Sequence, residues 1–131
     1  MMLIRCEVRP SPIHGVGLFT LEYVKRGDKL WQICKACRWF PELQLTYDMH
    51  YAEAAVVRRW GYLAYPDLWM LPCDHIRYMN HSDTPNVGGD SQFSDVALRD
   101  IVIGEELTCD YRSFDLAWRE KFLCTYDKEP V

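Results

Sequence analysis

Three short runs hold the residue types that could do chemistry. His14-Gly15-Val16-Gly17-Leu18-Phe19 places two glycines one residue apart. Without Cβ atoms there, backbone N–H and C=O groups can come close to a ligand. The run is not a dinucleotide fingerprint, which needs a third glycine and a helix after it. Arg77-Tyr78-Met79-Asn80-His81-Ser82, followed by Pro85-Asn86, gathers side chains that both donate and accept hydrogen bonds. At a strand end such groups can hold an adenine edge or an amino-acid tail. Gly104-Glu105-Glu106-Leu107-Thr108-Cys109-Asp110-Tyr111 would carry a phenol to a sheet edge. Each run alone has a plain structural alternative: a β-turn, a turn built from Asn and Ser with a capping His, and a core tyrosine.

These runs must be held by many short elements. Leu3 to Val8 alternates loosely and predicts a strand, ended by Pro10-Ser11-Pro12. Leu18-Phe19 is a second apolar run after the glycine turn. Arg26-Gly27-Asp28 is a turn, and Lys29 to Ile33 predicts a strand. Leu43, Tyr47, Tyr51 and Ala55 recur at i+4, with Pro41 and Glu42 suited to a helix start. One helix over 41–58 is therefore expected. Trp60 to Tyr65 and Leu68 to Leu71 flank Pro66-Asp67 as a hairpin. A short element over His75 to Asn80, a loop at Gly88-Gly89 and strands over Val96 to Leu98 and Leu107 to Tyr111 complete the middle. Phe114 to Leu123 reads as a short terminal helix. Alternating βαβ units are missing, which argues against a doubly wound nucleotide fold.

At 131 residues the chain fits a single domain over 1–131. Its 49% hydrophobic and 26% charged residues exclude disorder, collagen and a coiled coil. No apolar run can span a bilayer, and Met1 to Pro10 lacks the apolar stretch of a secretory signal. A cytoplasmic, nuclear or nucleoid location is expected. A net charge of −4 speaks against a nucleic-acid partner. Eight carboxylates between Asp83 and Asp115 stand against only Arg99 and Arg112. That suits a basic partner, or is simply a solvated loop surface. Of six cysteines, Cys34 and Cys37 form a C-x-x-C pair without a second pair. Half a zinc motif predicts two reduced thiols and no metal.

Together, in this order and at these spacings, the three runs resemble SET-domain protein lysine methyltransferases. Their hallmarks are a Gly-x-Gly-Leu-Phe turn, an Arg-Phe-(Ile/Met)-Asn-His-Ser…Pro-Asn segment and a Gly-Glu-Glu-Leu-Thr-x-Asp-Tyr segment. Here these stand at 15–19, 77–86 and 104–111. The likeness runs from residue 3 to about 115, and the size is that of the smallest stand-alone viral and bacterial members.

The resemblance implies a mostly β fold, the SET or β-clip arrangement of small sheets with a pseudoknot and a helical insert at about 41–58. A closing segment would occupy about 112–131. It implies S-adenosylmethionine as cofactor, leaving as S-adenosylhomocysteine. By that likeness His14, Gly15, Val16, Gly17, Asn80 and His81 bind the cofactor. Tyr111 is catalytic, in contact with both cofactor and amine, and no metal takes part. Cys109, Tyr65, Tyr78 and Phe114 would line the substrate channel, with Trp31 a further candidate. The substrate would be a lysine in a basic protein or histone-like tail, with no direct nucleic acid and no membrane.

The chain also departs from the pattern. Cys109 stands two before the final Tyr, where many members carry an aromatic that narrows the channel. A smaller side chain implies products beyond mono-methyl-lysine. Gln32-Ile33 replaces a Glu-Tyr pair, and Cys73-Asp74-His75-Ile76 replaces a Gly-Asn lead-in. In place of the three-cysteine zinc segment of many chromatin members come Phe114, Trp118 and Phe122. Their spacing by four puts them on one helical face. That helix, or a second subunit in a homodimer, would close the pocket. The missing channel aromatics keep a rival reading open, a non-catalytic module that binds cofactor or peptide. A β-rich interaction protein without cofactor is a third.

Overall fold

The computed structural model describes residues 1–91 and 93–121. In chain order its strands are β1 (Cys6–Pro10), β2 (Val16–Thr20), β3 (Lys29–Gln32), β4 (Arg38–Pro41), β5 (Tyr62–Tyr65), β6 (Leu68–Leu71), β7 (Asn80–His81), β8 (Val87–Ser91), β9 (Ser94–Ala97) and β10 (Glu106–Cys109). The helices are α1 (Glu42–Tyr47), α2 (Tyr51–Trp60) and α3 (Trp118–Lys121), with 3-10 turns at His75–Tyr78 and Tyr111–Ser113. The chain forms two compact units. The first is Met1–Cys37 with Pro72–Asp110, and the second is Arg38–Leu71 with the chain from Tyr111 onward.

The first unit holds a four-stranded sheet, β1-β2-β10-β7, and a three-stranded sheet, β3-β9-β8. Strand β2 is apolar on both faces, and Gly17 through Thr20 are all buried. Leu18, Leu30, Val87, Ile101 and Leu107 are fully enclosed in its core, and Trp31 is 3% exposed. The first strand starts three residues later, and ends two later, than its alternation suggested. Pairing with β2 from Cys6↔Thr20 to Pro10↔Val16 sets its bounds. Pro10 is tolerated because β1 lies at the sheet edge. Strand β10 is the pivot: it runs antiparallel to β2 and parallel to β7.

The second unit is a β4-β6-β5 sheet with α1 and α2. The expected hairpin at Pro66-Asp67 is present as β5 and β6. The expected single helix over 41–58 is broken at Asp48–His50. The His50 side chain accepts the Ala52 N–H at 3.1 Å and so starts a new helix. Pro41 closes β4 rather than opening the helix interior. Leu45, Ala54 and Val57 face the core with Trp69 and Ala117. Leu43, Tyr47 and Tyr51, the stripe that suggested the helix, point outward. Helix α3 covers only part of the expected 114–123 helix, and Phe122 lies outside the described residues. Among the described residues no helix is long and apolar enough to cross a membrane.

Candidate functional site

Within the first unit, the segment after β7 wraps β10. Thr108 pairs with Asn80 and Cys109 with His81. The Ser82 N–H donates to the Cys109 carbonyl at 3.0 Å. Farther along, the Asn86 side chain accepts the Thr108 N–H at 2.8 Å and donates to the Glu106 carbonyl at 2.8 Å. Asn86 is 3% exposed, so this bridge is a buried one. Two distant pieces of sequence are thus locked side by side by backbone and amide hydrogen bonds. This is the crossing that the family resemblance implied.

Asn80 sits at the centre. Its buried side-chain amide donates to the His14 and Val16 carbonyls at 3.1 Å each and to Glu106 Oε2 at 3.0 Å. It therefore fastens the glycine turn to the crossing. The turn itself closes with Ser11 N–H donating to the Gly15 carbonyl at 2.8 Å. Gly15 has φ +47°, and a Cβ there would meet nothing within 4 Å. Its backbone borders open space, as a ligand cradle requires. Gly17 differs, since a Cβ there would press on the Glu106 carboxylate and the Ser11 Cβ. Sequence reasoning missed Glu106, which also accepts the Ser11 hydroxyl at 2.8 Å. The only hint of it was its place inside the Gly-Glu-Glu-Leu-Thr run.

Asn80→Ala is expected to leave these acceptors short of a donor and to cost ~1–3 kcal/mol of stability. Asn80→Asp should cost more, because it sets a second carboxylate 3.0 Å from Glu106 and faces two carbonyls. Urea denaturation of the two variants measures that order.

His81 is gripped by two carboxylates, with Nε2 at 2.9 Å from Asp83 Oδ1 and Nδ1 at 3.7 Å from Asp110 Oδ1. Cys109 is buried, and Tyr78 ends the 3-10 turn before β7, half-buried. The first unit thus brings together His14, Gly15, Val16, Gly17, Asn80 and His81, with Cys109 on the adjoining strand. Tyr65, Tyr111 and Phe114 belong to the second unit. There Phe114 meets Tyr111 edge-on at 6.0 Å and Tyr62 at 5.1 Å. Tyr62 was not foreseen. Tyr65 instead pairs with Trp39 at 6.4 Å.

The acidic run is less of a free face than its count suggests. Glu106 and Asp115 are committed to internal partners, and Glu105 pairs with Arg99 at 2.9 Å. Burial pushes the Asp95 carboxyl up to about 6. Asp100 accepts the Arg26 N–H, which holds its carboxyl below the usual range. Asp83, with its side chain 78% exposed, is a carboxylate that a basic partner could meet.

The family model of the SET domain matches residues 15–112. No curated protein matches the sequence. Among solved structures, ctPRC2 in an autoinhibited conformation bound to S-adenosylmethionine is similar at TM-score 0.69 and 18% identity, over 92% of this chain and 16% of that one. The Chaetomium thermophilum polycomb repressive complex 2 gives TM-score 0.65 at 18% identity, over 82% of this chain and 15% of that one. An active polycomb repressive complex 2 in the basal state gives 0.64 at 19%, again over 82% and 15%. These likenesses are of fold, and the chain spans only about one sixth of the length of those chains. With the family model covering most of its length, including all three motif runs at 15–19, 77–86 and 104–111, the chain belongs to the SET-domain family.

Proposed function

We propose that the chain is an S-adenosylmethionine-dependent protein-lysine N-methyltransferase acting on a basic protein or tail. The observation that carries the reading is the buried Asn80 amide joining the glycine turn to the strand crossing. It fixes a turn whose Gly15 backbone borders open space, and this fits a small ligand with polar ends. Family membership supports the reading, as does the presence of the cofactor in a structure of the same fold.

S-adenosylmethionine supplies a methyl group on a sulfonium, so no metal or acid is needed to make the electrophile. The chain's own task is then positioning and the exclusion of water. His14 to Gly17, Asn80 and His81 would hold the donor. The target lysine must arrive uncharged, against a free pKa of ~10.4. An apolar channel favours the neutral amine. The Tyr111 hydroxyl would orient the reacting groups without acting as a base.

Incubation with labelled cofactor and a basic protein mixture tests this. Label on lysine is the expected result. Binding of S-adenosylhomocysteine by calorimetry with no transfer to any basic protein would instead make the chain a binding module. No heat of binding from folded protein would end the cofactor reading. With Cys109 two residues before Tyr111, the products are expected to pass beyond mono-methyl-lysine. Cys109→Tyr should then hold them at mono-methyl, as read by mass spectrometry under excess cofactor.

A further inference from the structure

The first unit gathers three cysteines that the proposed methyl transfer does not use. Cys34 follows β3, and Cys37 N–H donates to the Cys34 carbonyl at 3.1 Å, closing a tight turn. Cys73 comes from a segment 36 residues farther along the sequence, just before the His75–Tyr78 turn. The Cys34 sulfur lies 3.4 Å from that of Cys73 and 3.9 Å from that of Cys37. All three sulfurs lie within 4.8 Å of one another. Tetrahedral zinc with Zn–S bonds of ~2.3 Å holds its sulfurs about 3.8 Å apart, so the cluster already has that size.

The sulfurs are at non-bonded distances, and all three cysteines are free. Sequence spacing offered only half a zinc motif because the third ligand is distant in the chain.

We propose that Cys34, Cys37 and Cys73 bind one zinc ion as thiolates, with solvent in the fourth position. As the three Zn–S bonds form, the three thiol protons pass to solvent or buffer. No redox change is involved. The ion would tie the segment where the chain leaves the first unit, after Cys37, to the one where it re-enters at Pro72. It therefore stabilises the unit by closing a long loop and by binding only the folded state. Nothing in this depends on the methyl-transfer reading.

The test uses the full chain, purified under reducing conditions without chelator. Elemental analysis is expected to find one zinc per chain, and thermal melting should fall when a chelator removes it and recover when zinc returns. Cobalt(II) should give thiolate-to-metal charge-transfer bands and tetrahedral d–d bands. Cys73→Ser should lose most of the bound zinc and weaken those bands, while Cys6→Ser, outside the cluster, should keep both. Reduced, folded protein that takes up neither zinc nor cobalt would overturn the proposal. So would uptake unchanged in Cys73→Ser, or a mass two units low from a disulfide with no zinc binding after reduction. None of these outcomes depends on transfer activity, which keeps the two readings separable.

Discussion

Tyr111→Phe is expected to slow methyl transfer by ~10²–10³-fold while leaving S-adenosylhomocysteine affinity near its native value. The reason lies in what the substitution removes. The Tyr111 ring packs edge-on to Phe114 at 6.0 Å, and the Lys121 ammonium lies 5.9 Å from its centre. Phenylalanine keeps the ring and both of those contacts, so the fold around the 3-10 turn should persist. Only the hydroxyl goes. If that group acts on the transition state alone, kcat falls and the binding of spent cofactor does not. A parallel loss of affinity would make Tyr111 a binding residue. Activity near wild type would remove it from the chemistry. Single-turnover assays with calorimetry on the same preparation separate these results.

The part of the site that sequence made legible is the part written in contiguous runs. The glycine turn, Asn80-His81 and Thr108-Cys109 are each short, and the family resemblance implied their crossing. What sequence hid was set by contacts between runs. Glu106 looked like one acid of a surface stretch, yet it accepts from Ser11 and Asn80. Gly88-Gly89 read as a loop because glycine weakens strands. It lies inside β8, where a Cβ on Gly88 would meet the Leu98 side chain at 2.9 Å. There the missing side chain makes room for a neighbour.

The helical insert failed differently. Four residues at i+4 spacing define a stripe but not the direction it faces. The cap at His50 restarted the helix, and the core took Leu45, Ala54 and Val57 while Leu43, Tyr47 and Tyr51 stayed in water. A tertiary partner, the indole of Trp69, decided the face. Its Nε1–H also donates to Glu42, whose carboxyl the Arg58 guanidinium holds below the usual range. Apart from the local His50 cap, these contacts join residues far apart in sequence, so pattern alone could not reveal them.

Asp115→Ala is expected to destabilise the second unit by ~3–5 kcal/mol, the largest effect on stability expected here. As one of the eight acids between Asp83 and Asp115, this carboxylate seemed to belong to a surface face. It is 1% exposed. Its Oδ1 accepts the Leu63 N–H at 3.1 Å and the Ala117 N–H at 2.9 Å, and its Oδ2 meets Lys121 Nζ at 2.6 Å. Alanine would strand two backbone donors and leave Lys121, with its side chain 16% exposed, without a counter-charge, facing the Gly61 carbonyl and the Tyr111 ring. Burial is what makes the loss large, because an exposed pair contributes only ~0–1 kcal/mol. The double variant Asp115→Asn with Lys121→Met should recover most of the deficit. The amide oxygen keeps both backbone N–H bonds, and no unpaired charge remains. Urea denaturation followed by tryptophan fluorescence measures both variants. A single alanine change costing less than ~0.5 kcal/mol would mean that solvent reaches the pair. The strand end at Leu63 and the start of α3 would then have to be held by packing around Ala117 alone.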